Sequence, residues 1–157
     1  MFGKKGQGAM EYLMTYGWAI LVVMIVGIVM WQLGIFNLGS TSVTSSGFPK
    51  IKPQLTSCKM TTLGVFTCLF TNGAGTAIVI DGVTVVGTAA CAAPTAPTQG
   101  QIVSVGDNFQ VSASGCPTGV QGDPYSIDVY LAYNQTVAGT IVTRNDTGKI
   151  KGPYEQV

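Results

Sequence analysis

The side chains that most often carry out catalysis are sparse in this chain of 157 residues. It contains no histidine, and its carboxylates are scattered along the sequence rather than paired at short spacing: Glu11, Asp81, Asp107, Asp123, Asp128, Asp146 and Glu155. General acid–base catalysis needs such groups close together, with pKa values near the working pH. The sequence therefore predicts no catalytic residue, no cofactor and no enzyme, and an anchored enzyme is the least favoured function class.

The cysteines are the other reactive side chains: Cys58, Cys68, Cys91 and Cys116. An even count in a Thr/Gly/Val-rich region is typical of two disulfides formed outside the cytoplasm. A zinc site is disfavoured, because there is no CxxC pair and no histidine to complete a mixed site. Four cysteines allow three connectivities, and the sequence does not choose among them. Our working prediction is the sequential pairing, in which the first bridge closes a hairpin that turns near Leu63-Gly64.

Glu11 is the only charged residue between Lys5 and Lys50, and it lies where a long apolar run begins. A carboxylate inside a bilayer costs several kcal/mol unless it is paired, so a lone acid at this place needs a partner. No partner is present within the segment itself. The pattern predicts a membrane-held subunit that meets its partner during assembly.

The apolar run from Tyr16 to Phe36 has Gln32 as its only strongly polar side chain. Its length of about 21 residues is enough to span a hydrocarbon core of about 30 Å. Lys4 and Lys5 precede it, and no basic residue follows until Lys50. The positive-inside rule therefore leaves the N-terminus in the cytoplasm and the rest of the chain outside.

Small residues within the run are the candidate contact points between helices. Apolar lipid supplies no hydrophobic drive for helix association, so close van der Waals fit has to hold copies together. Gly17 and Gly27, with Ala19 and Gly34, permit such close approach, whereas the absence of a GxxxG pair argues against a tight two-helix dimer. A helix that is hydrophobic on all sides is stable outside lipid only when other helices enclose it.

The segment Lys4-Lys-Gly-Gln-Gly-Ala-Met-Glu-Tyr-Leu resembles the class III signal peptide of archaeal type IV pilins. The resemblance is to the euryarchaeal type, in which a basic pair and a glycine precede a mature end that begins with Gln and contains Glu-Tyr-Leu. The following Tyr-Gly-Trp-Ala-Ile-Leu is also similar to that group. The match covers about the first 25 residues, and a simple N-terminal anchor is the alternative.

The resemblance implies how the chain is processed and assembled. A prepilin peptidase would cut between Gly6 and Gln7, so that Glu11 becomes the fifth residue of the mature protein. Its carboxylate would pair with the N-terminal amine of a neighbouring subunit. A pilus assembly ATPase and a membrane platform protein are the further partners that the family implies. The predicted organisation is a signal peptide at 1–6, a hydrophobic helix at 7–36, a linker at 37–49 and an extracellular domain at 50–157.

The region after the linker has strand-like patterns, and the predicted fold class is α+β, a long N-terminal helix followed by a small sandwich-like β domain. Asp81-Gly82 between two β-branched runs is the strongest hairpin signal. Residues 125–133 alternate between apolar and polar side chains, as in a half-buried strand. The predicted strands are 67–71, 77–80, 83–86, 101–105, 108–113, 125–133, 140–143 and 149–151.

Two N-glycosylation sequons lie in this outer region, Asn134-Gln-Thr and Asn145-Asp-Thr. Asn145 is the better candidate, because Arg-Asn-Asp-Thr-Gly is turn-like whereas Asn134 ends a predicted strand. Filaments of the family that the N-terminus resembles are often N-glycosylated. The net charge of +1, with only 10% charged residues, provides no basic footprint for nucleic acid.

Together these features predict a structural subunit of an archaeal type IV pilus-like surface filament, a homo-oligomer that serves adhesion or surface attachment. A minor pilin or a pilin-like surface binding protein is the alternative. An archaellin-type subunit is a lesser one, because archaellins usually lack the Glu-Tyr-Leu and Tyr-Gly-Trp features.

Overall fold

The computed structural model describes residues 4–33 and 42–157. The chain divides into two units, residues 1–38 and residues 39–157. The first contains a single helix in its described part, and the second is made mostly of β-strands. An apolar helix followed by a mostly-sheet domain confirms the α+β class.

The helix α1 spans Lys4–Gln32 and ends with a hydrogen bond from the Leu33 amide to the Val29 carbonyl of 2.9 Å. No proline occurs before Pro49, so nothing interrupts the backbone ladder of this segment. The helix begins three residues earlier than the predicted start at Gln7 and so includes part of the predicted signal peptide. Residues 34–36, the predicted end of the helix, lie outside the described residues.

The outer unit contains eight described strands: β1 (Thr44–Gly47), β2 (Ile51–Thr61), β3 (Phe66–Asn72), β4 (Ile78–Val86), β5 (Ile102–Val103), β6 (Asn108–Ala113), β7 (Pro124–Val137) and β8 (Thr140–Glu155). Hydrogen bonds connect them in the order β5-β4-β7-β8-β2-β3-β6, with β1 paired to β8. The sequence predicts a sandwich. In the structure, the two halves of this path join through only two parallel residue pairs, Met60 with Tyr154 and Thr61 with Glu155.

One buried cluster takes side chains from both halves of the strand path. In β7 the predicted alternation is confirmed, because residues 125, 127, 129, 131 and 133 are buried and the residues between them are not. Alternate residues of β3 and β6 are buried in the same way. The Phe48 ring lies 5.5 Å from the Phe70 ring, so the segment after β1 also packs into this core.

The predicted hairpin at Asp81-Gly82 is wrong. Strand β4 runs through both residues, and its register against β7 shifts by a bulge between Ile80 and Gly82. The long strand β7 offers a partner on both sides of this point, from Gln135 to Asp128. Because this tertiary pairing keeps the chain extended, the local turn preference of Asp-Gly is expressed only as a bulge.

The two strands predicted at 140–143 and 149–151 form one continuous strand, β8, so the turn predicted around Asn145 is absent. All residues from 140 to 153 pair with β7. Gly148, which suggested a turn, instead lies beneath the Phe48 ring, whose atoms would overlap a Cβ at this position. The glycine serves core packing here and not chain reversal.

The predicted linker, 37–49, is shorter than expected at its C-terminal end. Residues Thr44–Gly47 form β1, which pairs antiparallel with β8 from Lys151 to Gly148. Phe48 is buried directly after this strand. Residues 37–41 lie outside the described residues. The Ser/Thr-rich composition misled the prediction because β1 is exposed along its whole length and needs no apolar side chains.

The structure contains two disulfides, Cys58–Cys68 and Cys91–Cys116, which is the sequential connectivity. The first joins β2 to β3 across a turn in which Gly64 has a φ of +78°. The Gly64 carbonyl accepts a 2.9 Å hydrogen bond from the Cys116 amide, so the two bridges come together at this turn. A Cβ on Gly64 would overlap the Cys116 carbonyl, which adds a steric reason for glycine to its positive φ.

Candidate assembly helix and the surface of the outer domain

The helix α1 exposes apolar side chains around its whole circumference. Met14, Val23 and Trp31 are 78%, 70% and 81% exposed and, at 100° per residue, they point in different directions. The part from Gly6 to Gln32 is long and apolar enough to cross a membrane, judged by length and composition. Such a helix near the N-terminus indicates membrane anchoring or a signal sequence, and the two disulfides indicate an extracellular location for the outer unit.

Glu11 lies in the N-terminal third of this helix and is exposed. Its carboxylate has no hydrogen bond or ion pair with any side chain in residues 6–33 and 42–157. The neighbouring Thr15 hydroxyl donates a 2.8 Å hydrogen bond to the backbone carbonyl of Glu11 and is thereby satisfied within the helix. Glu11 is therefore an exposed carboxylate without a side-chain partner among the described residues.

Gly17 and Gly27 meet no packing requirement within their own unit. A Cβ built on either residue finds no atom within 4 Å. Glycine in a helix interior costs about 1 kcal/mol relative to alanine. Both glycines therefore lower the stability of an isolated helix, and no contact with the described residues requires them. Gly34 lies outside the described residues.

The predicted processing residues, Gly6 and Gln7, lie at the exposed start of α1. A side chain on Gly6 would meet nothing within 4 Å. Gly6 lies five residues and Gln7 four residues before Glu11 along the same helix. Sequence reasoning missed a further feature, a contact between the tilted rings of Tyr12 and Tyr16, whose centroids lie 4.6 Å apart. Their i, i+4 spacing was the available signal.

In the outer unit, Asp146 is a buried carboxylate that sequence reasoning did not single out. It is 3% exposed, and its Oδ2 accepts hydrogen bonds from the amides of Lys50 and Ile51 at 2.9 and 2.8 Å. Its Oδ1 accepts a hydrogen bond from the Tyr133 hydroxyl at 3.2 Å. These contacts fix the start of β2 against β8. These hydrogen bonds give Asp146 a structural role.

Two tyrosines of the core hold their phenol protons strongly. Burial, followed by the charge of Asp146 and the hydrogen bond to it, raises the pKa of Tyr133 to about 12, and Arg144 opposes this shift. Burial, followed by the charges of Glu155 and Tyr154, raises the pKa of Tyr125 to about 12. Both phenols are thus stabilised in their neutral form by folding.

We expect the free energy of unfolding to be insensitive to these tyrosines below pH 10 and to fall between pH 10 and about 12. The folded pKa exceeds the ordinary value of 10.0, so above pH 10 the unfolded chain releases protons that the folded chain retains. Equilibrium denaturation of the full chain in detergent at a series of pH values measures this loss. Tyr133→Phe should make the decline shallower, and an equally steep decline in that variant would contradict the assignment.

The structure separates the two sequons by their environment. Asn134 is half-buried in β7, and its Oδ1 accepts a 2.7 Å hydrogen bond from the Thr143 hydroxyl. Asn145 is exposed in β8, opposite Ala132. The expected turn at Asn145 is therefore replaced by an exposed position on a strand, while the side chain remains accessible.

Comparisons with known proteins return no match: no family model, no curated protein and no solved structure is significantly similar to this chain.

Proposed function

We propose that this chain is the structural subunit of an archaeal type IV pilus-like filament, which polymerises through α1 and displays the outer β domain for adhesion or surface attachment. A prepilin peptidase removes residues 1–6, and the subunit is inserted in the cell membrane before assembly. A pilus assembly ATPase and a membrane platform protein move it into the filament. The finished filament is a helical homo-oligomer on the cell surface.

The main support for this proposal is the presence of Glu11 in a helix that is apolar on every side. The carboxylate has no partner among the described side chains, and no described residue of the same unit covers the apolar surface of α1. In a bundle of many parallel copies, the α1 helices cover one another's apolar surfaces. A protein that is only anchored in the membrane does not require this contact between copies. The pilin-like segment Lys4-Lys-Gly-Gln-Gly-Ala-Met-Glu-Tyr-Leu supplies the rest of the argument.

Pairing of Glu11 across the subunit boundary explains how register is chosen. Cleavage after Gly6 creates a new α-amine at Gln7, and a neighbouring copy brings this amine to the carboxylate. Removing one member of a buried ion pair costs about 3–5 kcal/mol, because it leaves an uncompensated charge. Helix registers that separate the two groups are therefore disfavoured relative to the one that joins them.

Mass spectrometry of filaments sheared from the native cells tests this proposal. We expect the dominant filament protein to be this chain, with its N-terminal peptide beginning at Gln7. The same spectrum shows whether that glutamine is cyclised to pyroglutamate, which would remove the amine and give Glu11 a different partner. A processed chain present only in traces would make it a minor pilin. An intact Met1 form confined to membranes would reduce it to an anchored surface protein and overturn the proposal.

A further inference from the structure

The outward face of β4, β7 and β8 carries a shallow depression beside the second sequon. Its volume is about 270 Å³, the size of a single sugar residue rather than of a folded partner. Gly82 and Ala132 form its floor, and Thr84, Tyr130, Asn145 and Thr147 surround them. A Cβ on Gly82 would meet nothing within 4 Å, so the missing side chain leaves open space above the sheet.

The strand register places the sequon and the aromatic ring at neighbouring positions on this face. Ala132 pairs with Gly82 on one side and with Asn145 on the other, and Tyr130 pairs with Thr147. Asn145 is therefore diagonal to Tyr130. Diagonal neighbours are about 7–8 Å apart, within reach of an aromatic side chain. Tyr130 is 46% exposed, whereas Tyr125, Tyr133 and Tyr154 are buried, so it is the accessible tyrosine of the described outer unit.

Asn134, the first sequon, lies beside neither the depression nor the Tyr130 ring. Its side-chain oxygen accepts a hydrogen bond from the Thr143 hydroxyl. The residue paired with Asn134 on β4 is Val79, whereas Asn145 pairs with Ala132, which in turn pairs with Gly82. A glycan would bond to Nδ2 and leave the hydrogen bond to Oδ1 intact, but that hydrogen bond holds the amide on a half-buried side chain next to Val79, which reduces access to Nδ2. The two sequons share the Asn-x-Thr pattern but differ in the accessibility of the acceptor asparagine.

We propose that Asn145 is the N-glycosylated residue and that its first sugar lies in the depression, with one face against the Tyr130 ring. The inference rests on the outward placement of this domain in the proposed function. The C–H groups on one face of a sugar ring are apolar and fit the electron-rich face of a tyrosine, while the hydroxyls at the ring edge remain hydrated. The hydroxyls of Thr84 and Thr147 are the polar neighbours of this sugar.

The attachment is a group transfer from a glycan linked to a lipid phosphate. The Nδ2 of Asn145 forms a bond to the anomeric carbon, and the bond between that carbon and the phosphate oxygen breaks. The lipid phosphate leaves with the electron pair, and the amide proton passes to a base of the transferase. The Thr147 hydroxyl completes the acceptor pattern.

The site assignment is tested on the full chain from native cells by peptide mass spectrometry. Asn145→Gln should remove all glycan mass from this chain, whereas Asn134→Gln should leave it unchanged. Thr147→Val, which keeps the β-branched shape, should also abolish the modification, and Thr147→Ser should retain it. Glycan on Asn134, or a chain without glycan at either residue, would overturn the assignment. Because the masses are read from filament and membrane pools alike, this outcome is independent of whether the chain forms filaments.

The position of the sugar is tested by nitration of Tyr130 with tetranitromethane, again read by peptide mass. The wild-type protein should be nitrated at Tyr130 severalfold less than Asn145→Gln, because the sugar covers the ring. Asn134→Gln is the matched control and should react like the wild type. Equal nitration with and without the glycan would show that the sugar does not rest on this ring and would overturn that part of the proposal.

Discussion

Replacing Glu11 with alanine should leave the chain processed and inserted in the membrane but reduce filaments to a small fraction of the wild-type yield. In the proposed filament, the carboxylate pairs with the new amine at Gln7 of a neighbouring copy. Its removal leaves that amine buried without a partner, at a cost of about 3–5 kcal/mol for each contact. Since 1.4 kcal/mol is about tenfold in an equilibrium constant, each subunit addition is weakened by roughly two to four orders of magnitude.

The chain offers two controls for this experiment. Glu11→Asp keeps the charge and should retain much of the yield, limited by its shorter reach. Thr15→Val changes a polar group that is already satisfied by the Glu11 carbonyl within the same helix, so it should assemble normally. Filament yield is measured by shearing cells and comparing the sheared protein with the pool left in membranes. Abundant normal filaments from Glu11→Ala would contradict the pairing.

The features predictable from sequence were those that depend on composition over many residues. The apolar run, free of proline, predicts one long helix whatever surrounds it. The alternation at residues 125–133 predicts a strand buried on one face, and β7 confirms it. The boundaries near Asp81-Gly82 and Asn145 were wrong, because there the outcome depends on a distant partner: β7 holds both β4 and β8 extended past local turn signals.

The candidate site residues also divide into those that stand out from the sequence and those that depend on the fold. Glu11 stands out from sequence because a lone charge in an apolar run is anomalous wherever the chain folds. Asp146 did not, because only the fold brings the Lys50 and Ile51 amides and the Tyr133 hydroxyl to its carboxylate. The unequal surroundings of the two sequons depend likewise on which residues face each other across β4, β7 and β8.

Replacing Asp146 with alanine should destabilise the outer domain by about 2–6 kcal/mol, because two interior donors would lose the carboxylate that accepts their hydrogen bonds. The Ile51 amide and the Tyr133 hydroxyl would lose their acceptor in the interior, and unsatisfied buried groups cost about 1–3 kcal/mol each. Asp146→Asn should cost less than alanine but still destabilise, because its amide group can accept through only one oxygen and directs N–H donors towards other donors.

Asp128 is the matched control, because it is an acidic residue that forms an ion pair at the surface. Its carboxylate lies 3.5 Å from the Lys149 ammonium, and both side chains are well exposed. Exposed pairs of this kind contribute about 0–1 kcal/mol, so Asp128→Ala should change stability little. Denaturation of the full chain in detergent, under oxidising conditions that keep both disulfides, measures the two variants side by side. Equal stability losses would mean that Asp146 does not hold the start of β2 against β8, and the chain before β2 would then be held by the pairing of β1 with β8 and by the packing of Phe48.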